Sequence, residues 1–118
     1  MELIVKSRNG KVSDHYRAYI EEKIGKLGRF LNGDAKVTVE LYEEQRRKEG
    51  PVHRAQATLI GEHGILLRSD QTSYDMHAVI DETAATLQRQ IQRYKDKHWR
   101  RGRLRRQNGQ FVEGMVPS

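Results

Sequence analysis

Residues 73 to 101 form the longest periodic segment of this chain and constrain its fold most strongly. Because an α-helix turns once in about 3.6 residues, side chains repeating every three or four residues lie along one side of it. Such a stripe of apolar or ring-bearing residues is present at His77, Ile80, Ala84, Leu87, Ile91, Tyr94 and His98. Arg89, Arg93 and Lys97 repeat beside the stripe at intervals of four. We therefore expect one long helix that packs on a sheet and presents a row of positive charge.

The start and the length of this helix support the same interpretation. Residues 72 to 75 have the Thr-x-x-Asp form of a capping box, and Asp75, Asp81 and Glu82 place negative charge near the N-terminus, where the helix dipole stabilises it. The helix would be about 40 Å long, compared with about 27 Å for a strand of eight residues. Its basic C-terminal turns should therefore project beyond the sheet.

Charge is distributed unevenly along the chain. The 118 residues carry a formal net charge of +6. Residues 85 to 106 contain nine basic residues and one acidic residue, whereas the rest of the chain contains 13 basic and 15 acidic residues. A cluster of one sign repels itself unless an anion lies against it, so the segment predicts a polyanionic partner. Nucleic acid is favoured over an acidic membrane surface, and a solvated charged face is the alternative.

Composition limits the class of protein further. The length is that of one domain with a single core. The sequence contains no cysteine, which excludes disulfides, thiolate metal sites and cysteine nucleophiles and is compatible with a reducing cytoplasm. No segment has the apolar length of a signal peptide or a membrane span. We therefore expect a soluble intracellular protein.

The rest of the sequence alternates between strands and one further helix. A first strand ends at Arg8-Asn9-Gly10, and Ser13 is a candidate N-cap for a helix over residues 13 to 31. Alternating apolar residues predict strands over 36 to 42, 54 to 59 and 65 to 69, with a charged hairpin loop at 43 to 50. The order β-α-β-β-β-α predicts an α+β fold. It would have a four-stranded mixed sheet, the first two strands parallel, and both helices on one face.

The first predicted helix carries a second basic row. Lys23, Lys26 and Arg29 recur every three residues, for which a solvated face is the alternative to a binding surface. Gly25 and Gly28 lie in the same helix, where each glycine costs about 1 kcal/mol relative to alanine. These glycines therefore indicate a close approach of another backbone or of a ligand.

Patterns of catalytic or metal-binding residues are absent from the sequence. His15, His53, His63, His77 and His98 lack metal-ligand spacing, and there is no glycine-rich phosphate loop. No nucleophile, base and orienting group are brought together. We therefore expect neither an enzyme nor a metal site, and we expect His77 and His98 to be packed rings.

Several motifs together resemble the ribosome hibernation-promoting factors, a family that includes ribosome-associated inhibitor A and the sigma-factor modulation proteins. The resemblance covers about residues 2 to 98. It rests on Ser7-Arg8-Asn9, Lys23-x-x-Lys26-Leu27, Gly64-Ile65-Leu66-Leu67-Arg68, Asp75-Met76 followed by Ala78-x-Ile80-Asp81, and Leu87-x-Arg89-Gln90-Ile91. Two positions depart from the family: Thr86 stands where lysine is frequent, and His77 stands where tyrosine is usual.

This resemblance implies a protein that binds the small ribosomal subunit of bacteria or plastids between its head and its body. There it would occupy the path of mRNA and of the A- and P-site tRNAs, and so inhibit translation in dormant cells without any cofactor. The family's rRNA contacts come from the basic rows of both helices. In this chain they correspond to Lys23, Lys26, Arg29, Arg89, Arg93, Lys95 and Lys97, with further candidates at Arg8, Arg100, Arg101, Arg103, Arg105 and Arg106.

The domain boundary is predicted at residue 101, with residues 1 to 101 as the ribosome-binding domain. Residues 102 to 118 lack apolar periodicity and are expected to be a flexible basic tail or the start of a linker. Long family members dimerise ribosomes through a C-terminal domain, so dimerisation is expected only with such a domain or a helper factor. Two other functions stay open. The three strands and the last helix also resemble a double-stranded RNA-binding domain, and the basic surface could bind an acidic protein.

Overall fold

The computed structural model describes residues 1–8, 11–31, 33–48 and 50–106, with the backbone alone at residue 63 and over 98–106. The elements follow the predicted order β-α-β-β-β-α. They are β1 (Glu2–Ser7), α1 (Asp14–Gly25), β2 (Ala35–Arg46), β3 (Gly50–Gly61), β4 (Leu66–Ser73) and α2 (Met76–Arg106). A 3-10 segment, Lys26–Phe30, continues α1, and a second, Glu62–Gly64, joins β3 to β4. No helix within these described residues is long and apolar enough to cross a membrane.

The strands form one sheet in the order β1-β2-β3-β4. Strand β1 is parallel to β2, and the other two pairs are antiparallel, which confirms the predicted mixed sheet. Strands β2 and β3 have 12 residues each, because their pairing continues through most of the segment predicted as a loop, as far as Arg46 opposite Gly50. The hairpin prediction was wrong in extent, since main-chain pairing does not require apolar side chains.

The core lies on one face of the sheet. Both helices contribute to the same apolar cluster, which confirms that they pack on one face. Its buried residues include Ile20, Ile24, Leu27, Val37, Val39, Leu41, Ala55, Ala57, Leu59, Val79, Ile80, Leu87 and Ile91. Val79 and Thr83 are fully buried outside the predicted stripe, because α2 contacts both β3 and β4 and so buries more than one row. The Thr83 hydroxyl donates to the Val79 carbonyl at 2.8 Å, which satisfies it in this apolar setting.

The first helix is shorter than predicted and changes form near its end. Ser13 caps it as predicted, since its Oγ accepts from the Tyr16 N–H at 3.2 Å. The α-helix ends at Gly25 and is followed by the 3-10 segment. A Cβ added to Gly25 would meet nothing within 4 Å, whereas one added to Gly28 would lie 3.2 Å from Met1 Cβ. The predicted close approach therefore exists only at Gly28, and a side chain makes it.

The second helix begins later and ends later than predicted. Thr72 lies in β4, opposite Arg54, so the capping box predicted from Thr72 was wrong. Asp75 does cap the helix, because its Oδ1 accepts from the His77 N–H at 3.3 Å. The 31 residues of α2 span about 46 Å, against about 26 Å for β4. The helix passes the predicted boundary at residue 101 and continues to Arg106; residues 107–118 of the predicted tail lie outside the described residues.

Candidate nucleic-acid interface

Helices α1 and α2 run side by side in the same direction. Near their N-termini, the Nε2 atoms of His15 and His77 are 2.8 Å apart. Farther along, Phe30 lines the same shallow groove as Tyr94 and Lys95. In both helical segments a group of cations follows the last adjacent pair of acidic residues, Glu21-Glu22 in α1 and Asp81-Glu82 in α2. These C-terminal parts, here called the basic halves, carry Lys23, Lys26 and Arg29 on the α1 side and Arg89, Arg93, Lys95 and Lys97 on α2. The parallel arrangement therefore brings the basic halves of both helices to one end of the sheet.

The N-terminal halves are joined by a ring cluster around His77. Its ring centroid lies 5.0 Å from that of His15, 5.3 Å from that of Tyr16 and 4.7 Å from that of Tyr19, each pair edge-to-face. The prediction that His77 is a packed ring is confirmed. A histidine at this position thus keeps aromatic contacts with α1; the side chain of His98 lies outside the described ones.

A hydrogen bond beside this cluster links the helices again. The Tyr19 hydroxyl donates to Asp81 Oδ1 at 2.6 Å. That hydrogen bond, together with burial and the nearby carboxylates, raises the pKa of Tyr19 to about 12. The raised pKa keeps Tyr19 protonated, and donating to Asp81, over an alkaline range in which an ordinary tyrosine ionises. These contacts fix the position of α1 relative to α2. They therefore also fix the relative position of the basic halves of the two helices.

Four predicted site residues lie on α1, on the 3-10 segment after it or on the side of α2 that faces α1, and are here called the groove cations: Lys23, Lys26, Arg29 and Lys95. Of these, Lys95 lines the groove itself. Lys23 Nζ lies 5.5 Å from the Tyr19 ring centroid, and the Arg29 guanidinium lies 5.5 Å from that of Phe30. Lys95 follows His77 by about five helical turns and so lies on the side of α2 that faces α1. Lys26, Arg29 and Lys95 are exposed, while Lys23 is half-buried beside the tyrosine.

The other three residues, Arg89, Arg93 and Lys97, form an outer row on α2, and all three are exposed. Arg89 Nη2 donates to Thr86 Oγ1 at 3.2 Å, and Gln71 Nε2 of β4 donates to the same oxygen at 3.0 Å. Thr86 therefore marks the side of α2 that faces β4, away from α1. Arg93 follows Thr86 by about two turns and lies on the same side. The basic residues of the two helices therefore do not form two adjacent rows. Together they lie on both the α1-facing side and the β4-facing side of α2.

Thr86 and Gln71 were missed in the sequence as positioning residues for Arg89. Thr86 was singled out only because lysine is frequent at its position in the family. Gln71 occupies a core-facing position of β4, which the alternation pattern would assign to an apolar residue. The signal that could have identified Gln71 is a polar residue at a core-facing position of a strand. A further contact of this kind joins Gln90 Nε2 to the Arg68 carbonyl at 2.7 Å. The basic half of α2 is therefore tied to β4 by side-chain hydrogen bonds.

The remaining candidates lie elsewhere. The Arg8 guanidinium is 4.1 Å from the Tyr42 ring centroid, and its Nη2 is 3.9 Å from Glu40 Oε1, on the sheet face opposite the helices. The structure does not bring Arg8 together with the helix cations. The last turns of α2 carry the other candidates, whose side chains lie outside the described ones: Arg100, Arg101, Arg103, Arg105 and Arg106.

An ion-pair cluster that the sequence did not predict neutralises charge on this opposite face. Arg54 Nε donates to Asp70 Oδ1 at 2.8 Å, a second nitrogen donates to Asp70 Oδ2, and a third donates to Glu44 Oε2. The guanidinium, whose own pKa these carboxylates raise, holds the pKa values of Asp70 and Glu44 below their usual range. Arg54 also lies 5.4 Å from the Tyr42 ring centroid. Here the basic side chain is matched by carboxylates.

The cluster leads to a pH-dependent prediction. Asp70→Asn should lower the stability at neutral pH, because it removes the charged partner of Arg54. Since the pKa of Asp70 is lower in the folded chain than in the unfolded one, the stabilisation is full above about pH 4 and is lost as the pH falls through the lowered value. The difference in melting temperature between the wild type and the variant should therefore shrink on acidification. Asp34→Asn is the exposed control, and a pH-independent difference would contradict the assignment.

Within the described part of the chain, no group of three or more His, Asp or Glu side chains is placed to hold a metal ion. The fold and the site together define a small α+β domain whose excess positive charge lies on α2, with further cations at the end of α1 and in the 3-10 segment that follows it. The model of the Sigma 54 modulation protein / S30EA ribosomal protein family matches residues 3–99. The chain belongs to this family, which confirms the resemblance seen in its motifs.

Similar proteins agree with this assignment. The chain is 36% identical over 118 residues to a ribosome hibernation promotion factor of Lactococcus lactis, covering 96% of this chain and 60% of the relative. It is 34% identical over 108 residues to one of Staphylococcus aureus, covering 88% and 53%. The chain thus spans between about half and three fifths of the length of these curated relatives.

Solved structures show the same fold. The N-terminal domain of Thermus thermophilus Protein Y superposes with a TM-score of 0.67 at 27% identity, covering 80% of this chain and 99% of that domain. A ribosomal subunit interface protein from Coxiella burnetii gives a TM-score of 0.65 at 15% identity, covering 80% and 98%. The second likeness shows the fold alone. Together they confirm the predicted arrangement of one mixed sheet and two helices.

Proposed function

We propose that this chain is a cytoplasmic ribosome hibernation factor. It binds the small ribosomal subunit at the decoding region and inhibits translation by occluding mRNA and the A- and P-site tRNAs. The observation that carries the proposal is the parallel packing of α1 and α2, which gathers the basic halves of both helices at one end of the sheet. The relatives' names, ribosome hibernation promotion factor, support it.

The form of the basic surface supports folded rRNA as the ligand. The groove cations lie on the α1 side of α2, and the outer row lies on its β4 side. Together they cover a surface that is broader than a single groove of an RNA helix. A-form RNA is recognised mainly through phosphates, 2′-hydroxyls and shape. Exposed lysines and arginines suit the phosphates that line a cleft, and their contacts release counterions. Such a surface fits a cleft between rRNA helices.

The proposed mechanism is steric and involves no chemical step. The helices are anchored by fully buried residues, including Ile24, Ile80 and Leu87, and by the hydrogen bond between Tyr19 and Asp81. A domain held in this way keeps its shape when it is inserted into a cleft. Bound at the decoding region, it excludes mRNA and tRNA from the volume that it occupies.

An in vitro translation assay with toeprinting tests this mechanism. We expect inhibition to be relieved by excess mRNA with its cognate tRNA, and we expect all rRNA to stay intact. Co-sedimentation with purified small subunits at two salt concentrations measures the binding itself, which should weaken as salt rises. Inhibition while initiator tRNA stays in the P site, or the appearance of rRNA fragments, would contradict occlusion. Binding that resists RNA competitors would indicate an acidic protein partner instead.

Paired substitutions test where the binding surface lies. Lys26 belongs to the groove cations and Arg93 to the outer row, so changing both to glutamine weakens both sides of the surface. We expect this pair to reduce inhibition much more than the same change at Arg105 and Arg106, in the last turn of α2. Arg47→Gln with Lys48→Gln, exposed near the β2–β3 turn, removes equal charge as a control. The opposite ranking would place the binding surface at the end of α2.

A further inference from the structure

Strand β1 lies at one end of the sheet, and among the described residues its strand partner is β2. Ser7 is paired with Leu41, and the Arg8 N–H donates to the Leu41 carbonyl at 3.0 Å. Along a strand, successive residues direct their main-chain N–H and C=O groups to opposite sides. Glu2, Ile4, Lys6 and Arg8 therefore point these groups at β2. Leu3 and Val5 point theirs away from the sheet.

The side chains of β1 are apolar on both faces at this edge. Leu3, Ile4 and Val5 are all half-buried, with Leu3 and Val5 against the core and Ile4 on the opposite face. At the other end of the sheet, α2 packs along β4, and Gln90 contacts its main chain. An apolar edge strand with outward-pointing main-chain groups is a template for pairing with another strand. Of the two edges, β1 therefore has the stronger features of a pairing surface.

We propose that β1 is an interaction surface for a second copy of this chain, paired antiparallel about a twofold axis at Ile4. The sequence Glu2-Leu3-Ile4-Val5-Lys6 is self-complementary about its centre. Glu2 of each copy lies opposite Lys6 of the other, Leu3 lies opposite Val5, and Ile4 lies opposite itself. One symmetric arrangement therefore forms both Glu2–Lys6 ion pairs and all of these apolar contacts.

The main-chain directions agree with this register. Leu3 and Val5 carry the outward-pointing groups, so the two Leu3–Val5 pairs exchange hydrogen bonds across the interface. The Ile4 pair and the Glu2–Lys6 pairs then occupy non-hydrogen-bonded positions, where facing side chains come closest. Each charged pair is therefore well placed to select the register.

Other registers are less favourable. A centre between two residues would oppose side chains of different faces, because side chains alternate along a strand. A centre at Val5 would place Ile4 opposite a lysine and Glu2 opposite Arg8, which already contacts Tyr42 and Glu40. The Ile4 centre avoids both conflicts. It joins the two sheets into one of eight strands, with both helical layers on the same side.

Sedimentation analysis of the full chain, without added N-terminal residues, tests the proposal from micromolar to about 1 mM protein. The wild type should show a concentration-dependent dimer. Glu2→Lys and Lys6→Glu each create two like-charged pairs, so each alone should weaken dimerisation on the order of tenfold or more. The double variant E2K/K6E restores opposite charges and should recover the dimer. Glu82→Lys on α2 and Lys48→Glu in the β2–β3 turn, both exposed, control for net charge.

Amide hydrogen exchange measured by NMR gives a residue-level test of the same edge. The Leu3 and Val5 amides should exchange more slowly as the protein concentration rises, whereas those of Ile4 and Lys6 should be protected at every concentration by β2. A monomer throughout the concentration range would overturn the proposal. So would a dimer that neither single charge reversal weakens, or exchange at Leu3 and Val5 that does not depend on concentration.

Discussion

Replacing Arg89, Arg93 and Lys97 together with glutamine should weaken binding to the small ribosomal subunit by roughly a hundredfold or more. It should also flatten the plot of log K against log salt concentration by about two to three, because each lost phosphate contact removes nearly one unit of slope. All three side chains are exposed on α2, and the fold should stay intact. Co-sedimentation across a salt series measures both quantities.

The control for this triple variant removes the same charge elsewhere. Lys11, Arg47 and Lys48 are exposed and lie near the end of the sheet where the helices begin, away from the basic halves. Changing these three to glutamine should alter the slope much less. Equal losses from the two variants would indicate general charge attraction, and an unchanged slope in the first would show that the outer row does not contact phosphate.

Leu87→Ala and Ile91→Ala should each lower the free energy of unfolding by about 2 to 5 kcal/mol. Both side chains are fully buried between α2 and the sheet, so each change loses apolar burial and leaves a cavity. For a domain stabilised by about 5 to 15 kcal/mol, either loss is large. Urea denaturation, with the midpoint and slope fitted together, measures it.

Leu66→Ala is the matched control for these core changes. It has the same chemistry, but Leu66 is 53% exposed on the opposite face of the sheet. Its cost should be well below that of Leu87→Ala, because most of the side chain is already in water. A loss below about 0.5 kcal/mol at either buried position would mean that this side of α2 does not face the core.

The main predictions that held depended on local periodicity. The stripe through Ile80, Leu87 and Ile91 and the alternation in β2 each repeat within a few residues, and burial follows the repeat. The Ser13 cap is equally local. Val79 and Thr83 were missed because the width of the buried strip depends on how α2 lies across β3 and β4. The capping box failed because tertiary pairing extends β4 through Thr72.

The candidate site likewise has features that the sequence predicted and features that only the tertiary structure decided. The seven basic helix residues were chosen from the sequence by charge spacing and by their match to family motifs, and their rRNA contacts stay predictions. Their separation into groove cations and an outer row was not predictable, because the side that Arg89 occupies depends on how α2 is rotated on the sheet, which the hydrogen bond from Gln71 of β4 to Thr86 shows. Likewise, Arg8 was a candidate by motif, but its strand position places it on the opposite face.

The sequence by itself therefore determined the order of the elements, most of the core and the segments that carry excess positive charge. Periodicities of 2 and about 3.6 residues and local charge are properties of a few adjacent residues. Only the tertiary structure decided which surfaces meet. Contacts such as those of His15 with His77 and of Tyr19 with Asp81 join residues 62 positions apart. They depend on the parallel direction of two helices that is established only when both pack on the completed sheet.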